Sequence, residues 1–166
     1  MRKPVRPVFP PGNGDSVTLG RLGDFVGFRL RRVQNQLSRD FASATADRNL
    51  RSGLFSSLAL ISANPGISQN ELSKETALDK SVIVTIVDEL ELRGWATRER
   101  SKTDRRRHAL FITRDGESYL NELFQILEHT EDKVLHQLSR AELHMLHELL
   151  DRMYSACVRD EAKEEA

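Results

Sequence analysis

Cysteine is almost absent from this chain of 166 residues, with Cys157 standing alone. One thiol can neither close an intramolecular disulfide nor build a zinc site of the multi-cysteine kind, so a stapled secreted scaffold is excluded and a reducing compartment is the simpler expectation. Long apolar runs are missing too: none approaches the roughly 20 residues that span a bilayer, and the N-terminus lacks the apolar core of a secretory leader. The chain is expected to stay in the cytoplasm, with no membrane partner. Proline is scarce once the opening MRKPVRPVFPP has taken four of the five. With Gly12, Asn13 and Gly14 behind it, that opening reads as a disordered, solvated tail over 1–17. Enzymatic signatures are lacking as well. There is no G-x-S-x-G, no Gly-rich phosphate loop and no cluster of His and carboxylates at ligand spacing, so no catalytic residue, metal or cofactor is expected.

Net charge is the last thing missing, since 25 basic and 25 acidic side chains sum to zero. Taken alone, that argues against a nucleic-acid partner, but the distribution argues the other way. Residues 93–114 carry eight Lys or Arg against two acids, Glu99 and Asp104, whereas 115–166 carry five against thirteen. Such a chain has one region suited to a polyanion and another that avoids it. The apolar content of 39% and charged content of 30% are those of a globular protein, long enough for one domain or for one domain with a dimerisation extension.

The most informative stretch is LDKSVIVTIVDELELRGWATRERSKTDRRRHALFIT, residues 78–113. Asp79 is a candidate N-cap, because its carboxylate can accept from the free amides of a first turn, and Gly94 is suited to the left-handed residue that ends a helix. Between them Ile83, Ile86, Val87 and Leu90 recur at spacings of three and four, which predicts a helix with one apolar face in a core. Ser81, Val84, Thr85 and Asp88 share the opposite face, which is free to touch something else. The period then changes. Residues 95–100 and 108–112 read as strands, and SKTDRRR between them is too polar for anything but an exposed, basic hairpin tip.

Upstream, Leu22, Val26, Leu30, Val33, Leu37 and Phe41 keep a three-four rhythm that predicts one long helix from Leu19, too long to bury its stripe in a small domain without a partner. A second helix is expected over 52–63, with Leu54, Phe55, Leu58 and Ile61 inward and Asn64, Pro65 and Gly66 ending it. Ser68 and Glu71 form a capping box that opens a short helix, and the helix of 80–92 follows within three residues. Helix, tight turn, helix is the arrangement that places its second helix in a DNA major groove. Downstream, Thr113 can cap a long helix with Leu120, Leu123, Leu127, Val134 and Leu138 in its stripe. Ser139 and Glu142 form another capping box, followed by Leu143, Leu146, Leu150, Met153 and Cys157 on one face.

Asp104, Arg106, Leu110, Ile112 and Thr113 match the D-x-R-x-x-x-L-x-[LI]-T wing signature of the MarR (multiple antibiotic resistance regulator) family, and LDKS and VDELELRG resemble that family's recognition helix. The resemblance covers residues 19–158 and implies a mostly α fold with a small β-wing. A winged helix-turn-helix DNA-binding domain would occupy 49–113. An N-terminal dimerisation helix (18–48) and C-terminal dimerisation helices (114–158) would intertwine in a homodimer, leaving an acidic tail over 159–166. The implied function is a transcriptional regulator, a repressor by the family's habit, binding a near-palindromic operator in double-stranded DNA. A small aromatic or phenolic effector would bind between the dimerisation and DNA-binding parts.

The resemblance assigns DNA contacts to Lys80, Ser81, Val84 and Thr85 on the helix and to Lys102, Arg105, Arg106 and Arg107 on the wing. Arg106 is expected in the minor groove, Arg105 and Arg107 on phosphates, and Asp104 in an ion pair that holds the loop's shape. Val84 is expected on a thymine methyl, with Ser81 and Thr85 making short polar contacts. Relatives often carry Thr where Val82 and Val84 stand and Arg where Thr85 stands, so this helix lacks a bidentate guanine reader and much of its specificity is expected from DNA shape. Dimerisation falls to Leu22, Val26, Leu143, Leu146, Leu150 and Met153.

Two other readings compete. A winged helix can serve as a protein-protein module, but that predicts an apolar or acidic wing, against the basic tip at Lys102, Arg105, Arg106 and Arg107. A thiol- or metal-sensing regulator of the same fold would use Cys157 or the group His136, His144 and His147. Zinc needs three or four convergent ligands, and these histidines have neither cysteine nor paired carboxylates beside them, so they read as surface or interface residues. The redox branch of the family carries its cysteine near the start of the first helix, where this chain has none. Cys157 reads as a buried small hydrophobe.

Overall fold

The apolar stripe that begins at Leu22 is not one helix. In the computed structural model, which describes residues 19–100 and 108–164, Gly20–Asp24 form a 3₁₀ turn, Phe25 is extended (φ −94°, ψ 123°), and helix α1 covers only Val26–Ala44. Gly20, which takes a positive φ of 49°, and Gly23 account for the break, since each glycine in a helix interior costs about 1 kcal/mol relative to alanine. Arg29 Nε then donates to the Gly23 carbonyl at 2.8 Å and ties the turn to α1. No residue of α1 is buried within the single chain. Leu22 and Val26 are 54% and 56% exposed.

The remaining elements follow the expected order. Helix α2 is Leu54–Ala63, beginning after Gly53 with no side-chain cap, two residues later than its pattern suggests. Strand β1 is Ile67–Ser68, helix α3 Gln69–Thr76, helix α4 Lys80–Leu92, strand β2 Ala96–Arg100, strand β3 His108–Ile112, helix α5 Arg114–Leu135 and helix α6 Arg140–Glu164. The hairpin of β2 and β3 pairs antiparallel from Ala96 opposite Ile112 to Arg100 opposite His108. Strand β1 is an addition to the sequence reading. It pairs antiparallel with β3, Ile67 opposite Leu110, giving the sheet order β1-β3-β2. Two residues carry no period, so a pattern reading has nothing to detect there.

The described residues form two compact units, divided between Leu127 and Glu128. In the first, Leu54, Leu58 and Ile61 of α2, Leu72 of α3, four residues of α4, Ala96, Leu110 and Leu120 make one buried cluster. In the second, Ser139 opens α6 with a complete capping box: its Oγ accepts from Glu142 N at 3.3 Å while Glu142 Oε2 accepts from Ser139 N at 2.9 Å. The Ser139 amide and hydroxyl, both donating to that carboxylate, hold Glu142 below its ordinary pKa. Leu143, Leu146 and Leu150 are half-buried in the single chain, and Met153 is 45% exposed. Every residue from 151 to 157 is exposed in the single chain, so one copy alone does not supply the burial that the place of Cys157 in the stripe suggests. Helix α6 also continues through Glu164, into the segment read as an acidic tail. Among the described residues, no helix is long and apolar enough to cross a membrane.

Candidate nucleic-acid interface

The turn between α3 and α4 is three residues long and locally determined. Both halves of the Ser68–Glu71 capping box form, starting α3, and Ala77 at its end takes the left-handed conformation (φ 53°). Ser73 then locks the turn from both sides: its Oγ donates to the Leu78 carbonyl at 2.6 Å, and its own carbonyl accepts from Leu78 N at 3.3 Å. Asp79 occupies the N-cap of α4, but its side chain makes no cap hydrogen bond. The backbone carbonyl of Asp79 accepts from Val82 N and Ile83 N instead, and the exposed carboxylate is left to water. At the other end α4 closes as expected. Gly94 (φ 72°) donates to the Glu91 carbonyl and Trp95 N to the Leu90 carbonyl, each at 2.9 Å, which is the paired pattern of a Schellman cap.

Ile83, Ile86, Val87 and Leu90 are all 0% exposed. Burying four such side chains is worth roughly 6–12 kcal/mol as an upper bound, so the rotation of α4 about its axis is strongly fixed. That rotation leaves Ser81, Val84, Thr85 and Asp88 exposed, as the spacing predicts, and Lys80 is exposed with them. Thr85 Oγ1 donates to the Ser81 carbonyl at 3.1 Å, which leaves its hydroxyl oxygen to act outward as an acceptor.

The sequence also overstates the free positive charge near the wing. Arg98 of β2 is ion-paired with Asp88 and lies 2.8 Å from Glu91, both on α4. The Nε contact to Glu91 is Coulombic only, since that nitrogen has no hydrogen-bond partner, but Arg98 N does donate to Glu91 Oε1 at 3.1 Å. Arg93 pairs with Glu89 at 2.7 Å, and Arg51 lies 3.3 Å from the same carboxylate. Partly exposed surface pairs of this kind contribute about 0–1 kcal/mol each, so their larger effect is to neutralise three acids on a helix that would otherwise repel phosphate. Arg98 and Arg51 escape a pattern reading because their pairing crosses elements, whereas Arg93 and Glu89 are a local pair four residues apart. The signal that could have found them is the run of Asp88, Glu89 and Glu91 directly before a basic hairpin.

The base of the hairpin is clamped to α5. Thr113 N donates to the Trp95 carbonyl at 3.0 Å, and Thr113 Oγ1 donates to the Gly94 carbonyl at 2.6 Å while accepting from Gly116 N at 3.0 Å, the expected cap of α5. Trp95 stacks on Tyr119 with centroids 3.9 Å apart, and the Arg93 guanidinium lies 4.9 Å from the Trp95 ring. Arg48 bonds Glu122 at 2.9 Å, and that carboxylate, with Tyr119 beside it, raises the Arg48 pKa. Arg93 further donates to the Asn49 carbonyl at 3.1 Å, so the C-terminal end of α4 is tied to the segment following α1.

Lys102, Asp104, Arg105, Arg106 and Arg107 lie outside the described residues. His136, His144 and His147 are exposed, with His144 Nε2 3.6 Å from Glu148. On α6 the stripe also misses Met145, Leu149 and Tyr154, apolar side chains that are exposed beside it.

Residues 55–107 match the model of the MarR family. A transcriptional regulatory protein assigned to the hcr operon of Thauera aromatica is 37% identical over 147 residues, which are 87% of this chain and 89% of that protein. Among solved structures, the transcriptional repressor CouR bound to a 23-mer DNA duplex is similar with a TM-score of 0.75 at 30% identity, over 84% of this chain and 99% of that one. CouR from Rhodococcus jostii RHA1 bound to p-coumaroyl-CoA gives a TM-score of 0.71 at 26% identity, over 80% of this chain and 93% of that one.

Proposed function

This chain belongs to the MarR family of transcriptional regulators, which are not enzymes, and from that premise we propose that it is a homodimeric repressor of a near-palindromic operator, released by a small aromatic or phenolic effector. The observation that carries the DNA reading is the uncovered face of α4, held outward by a sealed apolar face behind it and seated second in a helix-turn-helix. The two copies of α4 enter successive major grooves about one turn (roughly 34 Å) apart, as a two-fold dimer on B-DNA requires. Lys80, Ser81, Val84 and Thr85 face the base edges and adjoining phosphates. The basic tips at Lys102, Arg105, Arg106 and Arg107 reach the flanking minor grooves, with Asp104 shaping the loop. Repression is supported by the similarity to a CouR repressor bound to a 23-mer DNA duplex, and a bound effector by the similarity to the CouR of Rhodococcus jostii RHA1 bound to p-coumaroyl-CoA. Dimerisation is supported by the exposed apolar side chains of the 3₁₀ turn and α1 and by those of α6. The protein acts in the cytoplasm.

The wing supplies the test. A hairpin tip enters a narrow groove that excludes a helix, and narrow A·T-rich minor grooves concentrate the negative potential that attracts arginine. Replacing Arg106 by Ala is expected to cost about 1–3 kcal/mol per half-site and to relax any preference for flanking A·T pairs, with dimerisation intact. Loss of Arg105 or Arg107 should instead weaken all sequences alike and reduce the salt slope by about one unit per contact. Affinity is measured against salt on operators with A·T or G·C flanks. Equal affinities of wild type and Arg106→Ala on every operator would remove the wing from the interface.

A further inference from the structure

Resting on the reading of α4 as the groove-facing helix, we propose that it reads its half-site through thymine 5-methyl groups, gripped by Val82 and Val84 on its two flanks with the Thr85 methyl between them. Val82 and Val84 are 36% and 43% exposed, unusual for β-branched apolar side chains on the polar side of a helix whose other face is fully sealed. At 3.6 residues per turn they stand about 160° apart across that side, so they face different walls of a groove and different base steps. Between them, no side chain from Ser81 to Asp88 is an Arg, Lys, Asn or Gln, the residues that read purine edges bidentately. The polar groups that remain are largely engaged: Asp88 is paired with Arg98, and the Thr85 hydroxyl donates to the Ser81 carbonyl. Besides the short hydroxyl of Ser81 and the Lys80 ammonium at its first turn, what the helix offers is methyl groups. The thymine C5-methyl is the apolar feature that the major groove presents, and cytosine lacks it.

The experiment replaces thymine by deoxyuridine, one position at a time, in an operator already selected by the full chain. The change removes one methyl and leaves every hydrogen-bonding group of the base pair in place. Dissociation constants are measured for the wild type, Val82→Ala and Val84→Ala. The expected result is a loss of about fourfold at each of two thymines per half-site, the factor that burying one methyl-sized group is worth. One of these sensitivities should disappear in Val82→Ala and the other in Val84→Ala. Sequence-specific binding that is unchanged within twofold by every deoxyuridine would overturn the methyl reading and leave the groove-facing role of α4 standing. So would valine variants that keep both sensitivities. Absence of sequence-specific binding to unmodified DNA would instead remove the underlying role of α4, and the methyl reading with it.

Discussion

Gly116→Ala is expected to destabilise the DNA-binding unit by about 3 kcal/mol, at the upper end of what overpacking costs, even after the gain in helix propensity that alanine normally brings. A Cβ built on Gly116 lies 2.0 Å from the Trp95 carbonyl oxygen, 2.8 Å from its carbon and 2.9 Å from Ile112 Cγ1. Two of those atoms are backbone, so no rotamer change can relieve the contact, and α5 must move away from the hairpin. The move would pull Thr113 from the Gly94 and Trp95 carbonyls, which together fix the base of the wing. For a chain of this size the loss corresponds to a drop of roughly 6–12 °C in melting temperature. Thermal unfolding followed by circular dichroism checks it. A melting temperature within about 2 °C of wild type, against that expectation, would mean the contact is looser than described.

Leu146→Asp is expected to separate the dimer. Leu146 lies in the stripe of α6 with Leu143 and Leu150, half-buried in the single chain, beside the exposed Met145, Leu149 and Met153. The first helix carries the same deficit, since no residue of α1 is buried and Leu22, Val26 and Val33 stand largely open. An unpaired carboxylate placed in an apolar seam costs several kcal/mol, and because the second copy stabilises the fold by mass action the variant should also be less stable and concentration-dependent in its melting. Losing 3 kcal/mol or more of association would weaken operator affinity by over about 100-fold, because each half-site would then be bound singly. Light scattering at micromolar concentration, alongside operator titration, reads both effects. A wild-type protein that scatters as a folded monomer, or a variant that remains dimeric with wild-type affinity, would contradict the assignment.

What was legible in the sequence is what is determined locally. The two faces of α4 follow from Ile83, Ile86, Val87 and Leu90, the capping boxes at Ser68 and Ser139 need only residues three apart, and the β2–β3 hairpin shows in a change of period. The break before α1 was hidden because Leu22 and Val26 keep their spacing through it, while the glycines that cause it leave no gap in the apolar stripe. Strand β1 is too short to have a pattern. The pairing of Arg98 with Asp88 and Glu91 and of Arg51 with Glu89 depends on how elements pack, which no local spacing encodes. The engaged hydroxyl of Thr85 is a rotamer choice, and it changes what that residue can offer DNA.

The central claim is that this chain recognises an operator as a symmetric dimer. Its most direct test is selection of genomic fragments by the purified full chain, with footprinting of those retained. The account predicts enrichment of a near-palindromic sequence whose half-site centres lie about one helical turn (roughly 34 Å) apart, protected symmetrically about its centre. Retention of fragments without a shared sequence, or of a single half-site protected on one side only, would contradict it.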